Sequence, residues 1–239
     1  MIVRNHHLDD LEEFCSRDPV RHAFTLWDLR VERKNTEFYV DWRDGVRGYM
    51  LIYTGGDAPS VIVQGSRDSV KIFADMLPIS QGIVHMPYEY IDLFRGGDSR
   101  YRIDVMGAEP KFYGYDDEVE IIKDEEMLRD LFVNPRYLVE KAITFGIVRD
   151  GKVISVASAL VHLPEVWVLG AVVTKREYRN RGYATRVIKH FLSYASERTR
   201  RVVLWVRSDN RIAINIYRKL GFKKLWEEGW INYRVNIVP

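Results

Sequence analysis

Val172-Val173-Thr174-Lys175-Arg176-Glu177-Tyr178-Arg179-Asn180-Arg181-Gly182-Tyr183-Ala184-Thr185 is the stretch whose reading decides the fold. A β-branched apolar run ends at Thr174, a charged loop follows, and a helix opens at a glycine-containing turn. The first N–H groups of a helix have no intrahelical partner, and the aligned peptide dipoles add partial positive charge there. Gly182 and Ala184 are small enough to let a phosphate approach the backbone. Arg179 and Arg181 add formal charge. Together these residues make a pyrophosphate seat. The same residues also suit a plain helix start, and the stretch taken alone leaves both readings open.

Working outward, residues 166–174 read as a strand apolar enough to be central. Before it, residues 144–149, the turn Asp150-Gly151 and residues 153–162 predict a hairpin. Residues 125–132 and 135–142 predict two short helices. After the seat, residues 180–198 predict a long helix with Ala184, Val187, Ile188, Phe191 and Leu192 on its inner face. A buried-type strand over 201–207 follows, then a helix over 210–220 capped by Gly221. Residues 222–225 and 230–237 read as two closing strands. This order predicts a mixed, largely antiparallel sheet flanked by helices, an α/β chain of the α+β type and not a Rossmann array.

The segment Arg179-x-x-Gly182-x-Ala184 resembles the pyrophosphate loop of the GNAT superfamily of N-acyltransferases. Val172-x-Thr174 and Glu177-Tyr178 resemble its approach strand and loop. Asn210-x-x-Ala213-x-x-x-Tyr217-x-x-x-Gly221-Phe222 resembles its second signature. The two matched segments come in the right order, and the resemblance covers about residues 119–239. The resemblance implies acetyl-CoA, or another acyl-CoA, as co-substrate and no metal. It implies that Val172, Val173 and Thr174 bond pantetheine through the backbone, with the Val173 N–H polarising the thioester carbonyl. Arg179, Asn180, Arg181, Gly182, Tyr183, Ala184 and Thr185 would hold the pyrophosphate. Asn210 and Ala213 would line the pantetheine side, and Tyr217 would protonate the departing thiolate. Tyr217 also shares an apolar helix face with Ala213, Ile214 and Leu220, so a core role competes with the catalytic one. Asn210 is equally a helix N-cap.

The amine acceptor must lose its proton before it attacks, because lysine-like amines have a pKa near 10.4. Some members of the family carry a glutamate where this chain has Val168. Glu165, His162 or an ordered-water relay are then the candidate bases. The missing carboxylate also motivates a second reading, a non-catalytic acyl-CoA-binding or sensing protein.

Residues 1–118 predict a second α/β domain: helices over 8–14 and from 18 to 34, strands over 37–43, 48–53 and 60–64, a helix capped by Ser66, and short strands over 82–85 and 102–106. This mix loosely resembles the degenerate half of two-domain members of the same superfamily. Trp27, Tyr39, Trp42 and Tyr53 are candidate lining for an acceptor, or simply core. The expected boundary lies near residue 118, giving domains 1–118 and 119–239.

Composition sets the limits. The chain has 239 residues, 46% hydrophobic and 29% charged, which fits a globular protein and argues against disorder. Its apolar runs fall short of the roughly 20 residues of a membrane span. The polar, acidic start is unlike a signal peptide. The single cysteine, Cys15, excludes an internal disulfide framework and fits a reducing, cytoplasmic setting. Residues 1–118 hold 14 basic and 21 acidic side chains, a net −7; residues 119–239 hold 22 and 13, a net +9. The basic half suits an anionic ligand. Nucleic acid is disfavoured, since the arginines are scattered over many elements and form no recognisable motif. A small-molecule or peptide amine is the expected partner, with no membrane. His6-His7 would need further ligands to hold a metal.

Overall fold

A computed structural model describes residues 1–97 and 99–234. These residues divide into two compact units. One holds Met1–Val105, Val206–Asn210 and residues 225–234; the other holds Met106–Trp205 and Arg211–Lys224. The expected cut at residue 118 thus differs from the observed division. A turn signal marks where the chain bends, but it does not say which core a later strand joins.

The first unit begins with β1 (Ile2–Arg4), α1 (Leu8–Ser16) and α2 (Ala23–Arg30). Helix α1 buries Leu8, Leu11 and Cys15 and keeps Asp9 and Asp10 in its first turn, where the helix dipole favours acids. Helix α2 starts later than Asp18-Pro19 suggests. The Asp18 carboxylate accepts from the Arg21 N–H at 3.1 Å, and its carbonyl accepts from the His22 N–H at 3.2 Å. Asp18 therefore closes a separate turn before the helix. Strands β2 (Thr36–Trp42) and β3 (Val46–Tyr53) form the expected hairpin around Asp44-Gly45. They lead to β4 (Ser60–Gly65), α3 (Arg67–Asp75) and β5 (Gln81–Pro87). The strand order is β1-β2-β3-β4-β5, and the last strand, β12 (Lys223–Arg234), follows β5. Only β4 and β5 run parallel among these described pairings. Met50, Val63, Phe73, Met86 and Ile231 sit in the core beneath.

Strand β12 is one strand where two were expected. It runs through Gly229, where a Cβ would meet the Met86 sulfur at 2.8 Å, so the glycine serves close packing against β5 and not a break. The rest of the expected closing strand, beyond Arg234, lies outside the described residues.

Strand β6 (Ser99–Ala108) leads into the second unit. There follow β7 (Val119–Ile121), α4 (Arg136–Glu140), β8 (Ile143–Arg149), β9 (Lys152–His162), β10 (Trp167–Thr174), α5 (Tyr183–Ser196), β11 (Val202–Arg207) and α6 (Arg211–Lys219). The strand order is β11-β10-β9-β8-β7, with β10 and β11 parallel and the other pairs antiparallel. The helix expected over 125–132 is a single 3-10 turn, Glu126–Leu128. Helix α5 buries Val187, Ile188, Phe191, Leu192 and Ala195, the apolar face its spacing predicts. No described helix is long and apolar enough to cross a membrane.

Candidate functional site

Strand β10 slips register with β9 twice, first between Val168 and Leu169 and again where the site lies. Among the described residues it pairs with β11 at Trp167–Val202 and Val168–Val203. On its other edge the register with β9 slips between Gly170 and Val173, so that β10 carries an extra residue there. Ala171 lies at the slip with φ +48, a left-handed conformation that costs a non-glycine residue about 1–2 kcal/mol. Such strain persists only where packing imposes it, and it concentrates at functional sites. Trp167, Val168 and Leu169 are buried, whereas Gly170 to Thr174 are partly exposed. A strand's backbone groups need partners. The far half of β10 therefore presents an edge that an extended ligand can pair with. The side chains of Ala171 and Val173 pack against a core that includes Leu128, Leu138 and Val156, so what Val173 can offer a ligand is its backbone.

Beyond Thr174 the chain turns over a short 3-10 segment, Arg176–Tyr178, and enters α5. Gly182 is the N-cap residue, with φ +82 and no side-chain cap. A Cβ there would meet no atom within 4 Å, so glycine is required by the backbone angle and not by crowding. Asn180 is also left-handed, with φ +59. The first helical bond runs from the Arg186 N–H to the Gly182 carbonyl at 3.1 Å, so the N–H groups of Tyr183, Ala184 and Thr185 precede the ladder. No acidic residue lies in the first turn. The Arg179 Nε donates to the Thr174 carbonyl at 3.1 Å, tying the loop to the strand end. Arg181 lies over the Tyr178 ring.

A cleft of about 420 Å³ opens here, lined by Asp130, Leu131, Val173, Thr174, Lys175, Arg176, Glu177 and Arg179. It unites three of the expected site residues, Val173, Thr174 and Arg179. Val172 adjoins them on β10, and Asn180, Arg181, Gly182, Tyr183, Ala184 and Thr185 continue from the cleft's edge into α5. Sequence spacing missed the ion pairs that shape this region. Lys175 Nζ meets Asp130 Oδ2 at 2.8 Å, holding the carboxyl below its ordinary range. Arg186 grips Asp116 through two bonds of 2.7 and 2.8 Å and also bonds Glu118, which bonds Arg149 in turn. Arg186 is thereby held at the side of the helix start. The acids lie far from their partners in the chain, so no short motif could reveal them.

Tyr217 is 7% exposed on the inner face of α6 and packs edge-on against Phe222 at 5.8 Å. Burial pushes its phenol up to about 12, so it holds its proton at neutral pH, as a proton donor must. Ala213 is partly buried on the same helix. Asn210 falls in the first unit, just before α6, and its N–H bonds the Arg207 carbonyl at 2.9 Å.

The two named candidate bases are badly placed. His162 pairs with Trp167 at the beginning of β10. Val173 is six residues along, about 20 Å at strand rise. Glu165 is exposed in the turn between Leu163 and Val166, at the same end. Burial lowers the His162 pKa, which suits a neutral imidazole, but its location does not serve a carbonyl at Val173. Val168, which stands where some relatives carry glutamate, is buried at 1% exposure.

Over 69 residues the chain is 38% identical to an uncharacterized N-acetyltransferase of Methanocaldococcus jannaschii, a match spanning 28% of this chain and 30% of that protein's length. A Drosophila protein of known structure superposes with a TM-score of 0.71 at 15% identity, covering 98% of this chain and 97% of that one. A tandem GNAT protein from the clavulanic acid biosynthesis pathway superposes at 0.60 and 13% identity, covering 96% and 98%. A GNAT-family acetyltransferase from Colwellia psychrerythraea gives 0.60 at 14%, covering 98% and 100%. At these identities the structural likenesses speak to fold alone. Residues 108–222 match the model of the acetyltransferase (GNAT) family, and this segment of the chain belongs to that family.

Proposed function

We propose that the protein is an acyl-CoA-dependent N-acyltransferase that moves an acetyl group from acetyl-CoA to a primary amine by direct attack in a ternary complex. The observation that carries this reading is the continuity of two features. The partly exposed, bulged end of β10 runs within eight residues into a helix start with no cap, no acid and two left-handed residues, flanked by Arg179 and Arg181. Pantetheine would extend along Val172 to Thr174, with the pyrophosphate on residues 179–185. The amine nitrogen attacks the thioester carbon as the Val173 N–H stabilises the oxyanion. The C–S bond breaks, and Tyr217 gives its proton to the thiolate. The amine's own proton leaves through ordered water, since His162 and Glu165 lie at the far end of β10. The first unit is a degenerate relative of the same fold that supports the catalytic one.

That distant placement of both bases also favours a second reading, an acyl-CoA sensor without turnover. Thermal melting with acetyl-CoA at 100 times its dissociation constant should stabilise the protein by about 2.7 kcal/mol. Free thiol release over time with a panel of amines then separates the two readings. Release above the amine-free rate supports the transferase, and binding without release supports the sensor. Absence of any melting shift in folded protein removes both.

A further inference from the structure

The first unit holds a cavity of its own, about 550 Å³ in volume, within the roughly 300–1,000 Å³ of small-molecule sites. It opens where the parallel pairing of β4 and β5 stops, at Ile62 and His85. Gln64 and Gly65 from β4 line one side, Pro87 and Tyr88 another. The crevice at the carboxyl ends of parallel strands is the general place for ligands in open α/β sheets.

The lining states what it would take. Gln64 is 5% exposed and lines the cavity. Glu89 is exposed on the cavity and has no cationic partner among the described residues. The other lining carboxylate, Glu227, is held by two bonds from Arg102 at 2.5 and 2.8 Å. Trp226 already receives a cation, since the Arg21 guanidinium lies 4.5 Å from its ring centroid and 3.6 Å from Asp18. Tyr88 and Tyr90 complete an aromatic wall. His22 adds no charge: burial lowers its pKa to about 4, and its Nδ1 sits 2.7 Å from the Tyr49 hydroxyl. An anionic nucleotide does not fit here. The Ser66 hydroxyl accepts from the Ser69 N–H at the start of α3, and Asp68 stands in the first turn.

We propose that this cavity binds a small organic ammonium: a primary ammonium group on an apolar, ring-bearing body. The ammonium meets the Glu89 carboxylate and the Gln64 side-chain carbonyl, and the body lies against Tyr88, Tyr90 and Trp226. A protonated amine is also the form in which an acetyl acceptor arrives, but the site is argued from the first unit alone.

The test is calorimetric titration of the full chain, without acyl-CoA, using phenethylamine, its neutral N-acetyl derivative and 3-phenylpropionate. Saturable binding of phenethylamine, at least about tenfold tighter than either analogue, is expected. Glu89→Gln should weaken phenethylamine about tenfold and leave the neutral analogue unchanged. Gln64→Leu should weaken phenethylamine too, with a melting temperature no lower than the wild type's as the folding control. No saturable binding, equal affinity for the three probes, preference for the carboxylate, or indifference to Glu89→Gln would each overturn the proposal. Because acetyl-CoA is absent, failure here leaves the acyltransferase reading standing, and loss of the acetyl-CoA melting shift leaves this one standing.

Discussion

Helix α3 in the first unit and helix α5 in the second hold the same position: each joins a pair of parallel strands whose pairing stops short of the strand ends. Their starts are chemically opposite. Helix α3 is capped by its own Ser66 hydroxyl and carries Asp68 in the first turn. Helix α5 begins at Gly182 with no cap and no acid. The cavities beside them differ accordingly. The one near α3 offers Gln64, Glu89 and aromatic rings, and the one near α5 offers Lys175, Arg176 and Arg179 along an open strand edge. One architecture can thus leave the N–H groups of a helix start open or close them by changing the cap and the first-turn residues, because those groups are there in both cases and only their occupancy differs.

The comparison can be broken most sharply at Gly182. Gly182→Glu places a carboxylate in the open space at the helix start and forces a side chain onto φ +82. Losing even one charge-assisted bond removes about 1.5–3 kcal/mol, roughly 10- to 150-fold in affinity. At an acetyl-CoA level of 100 times the wild-type dissociation constant, the stabilisation should therefore fall from about 2.7 to about 0.3–1.4 kcal/mol; an unchanged shift would mean that the phosphates lie elsewhere. Tyr217→Phe should lower kcat by about 10²- to 10⁴-fold while leaving the acetyl-CoA dissociation constant alone, as measured by thiol release and titration. A loss of affinity with kcat intact would return Tyr217 to the core.

The first unit can be probed by pH. Burial raises the Asp28 carboxyl to about 8, with Glu32 adding to the effect. A pKa raised in the folded state means that the stability is fully present below the unfolded value near 4 and is lost as pH climbs through 8. Asp28→Asn should therefore melt above the wild type at pH 9, with the gap narrowing toward pH 4. Equal melting curves at both pH values would show that Asp28 is not buried as an acid. The smallest effect belongs to Ser66→Ala, about 1 kcal/mol or roughly 2–4 °C, with the acetyl-CoA shift untouched. A parallel loss of acetyl-CoA binding would mean that the two helix starts are not independent.

Elements with strong local signals were legible. The hairpin at Asp150-Gly151, the strand over 166–174, the helix capped by Ser66 and the apolar stripe of α5 all follow from turn residues, caps and periodicity. Strands β1 and β7 are three residues long, too short to display a period. The expected helix over 125–132 contracts to one turn, since an apolar stripe permits a helix without supplying the packing that sustains one. The aromatic residues show the same limit. Trp27 is core, Trp42 stacks on His7 at 3.9 Å, and Tyr39 lies under Arg4. Neither they nor Tyr53 lines the first unit's cavity, where Phe14, Tyr88, Tyr90 and Trp226 stand instead. Which face an aromatic ring shows depends on strands that arrive from far along the chain, as β12 brings Trp226.

The sequence by itself determined the strand, loop and helix around Gly182 and the helix that carries Tyr217, because caps, turns and helix dipoles act over a few residues. Only the tertiary structure decided the left-handed slip at Ala171, the pairing of Arg186 with Asp116 and Glu118, the distance of His162 from Val173, and the unit to which the last strand belongs. Those features are set by contacts between residues distant in the chain, where packing, and not local propensity, selects the arrangement.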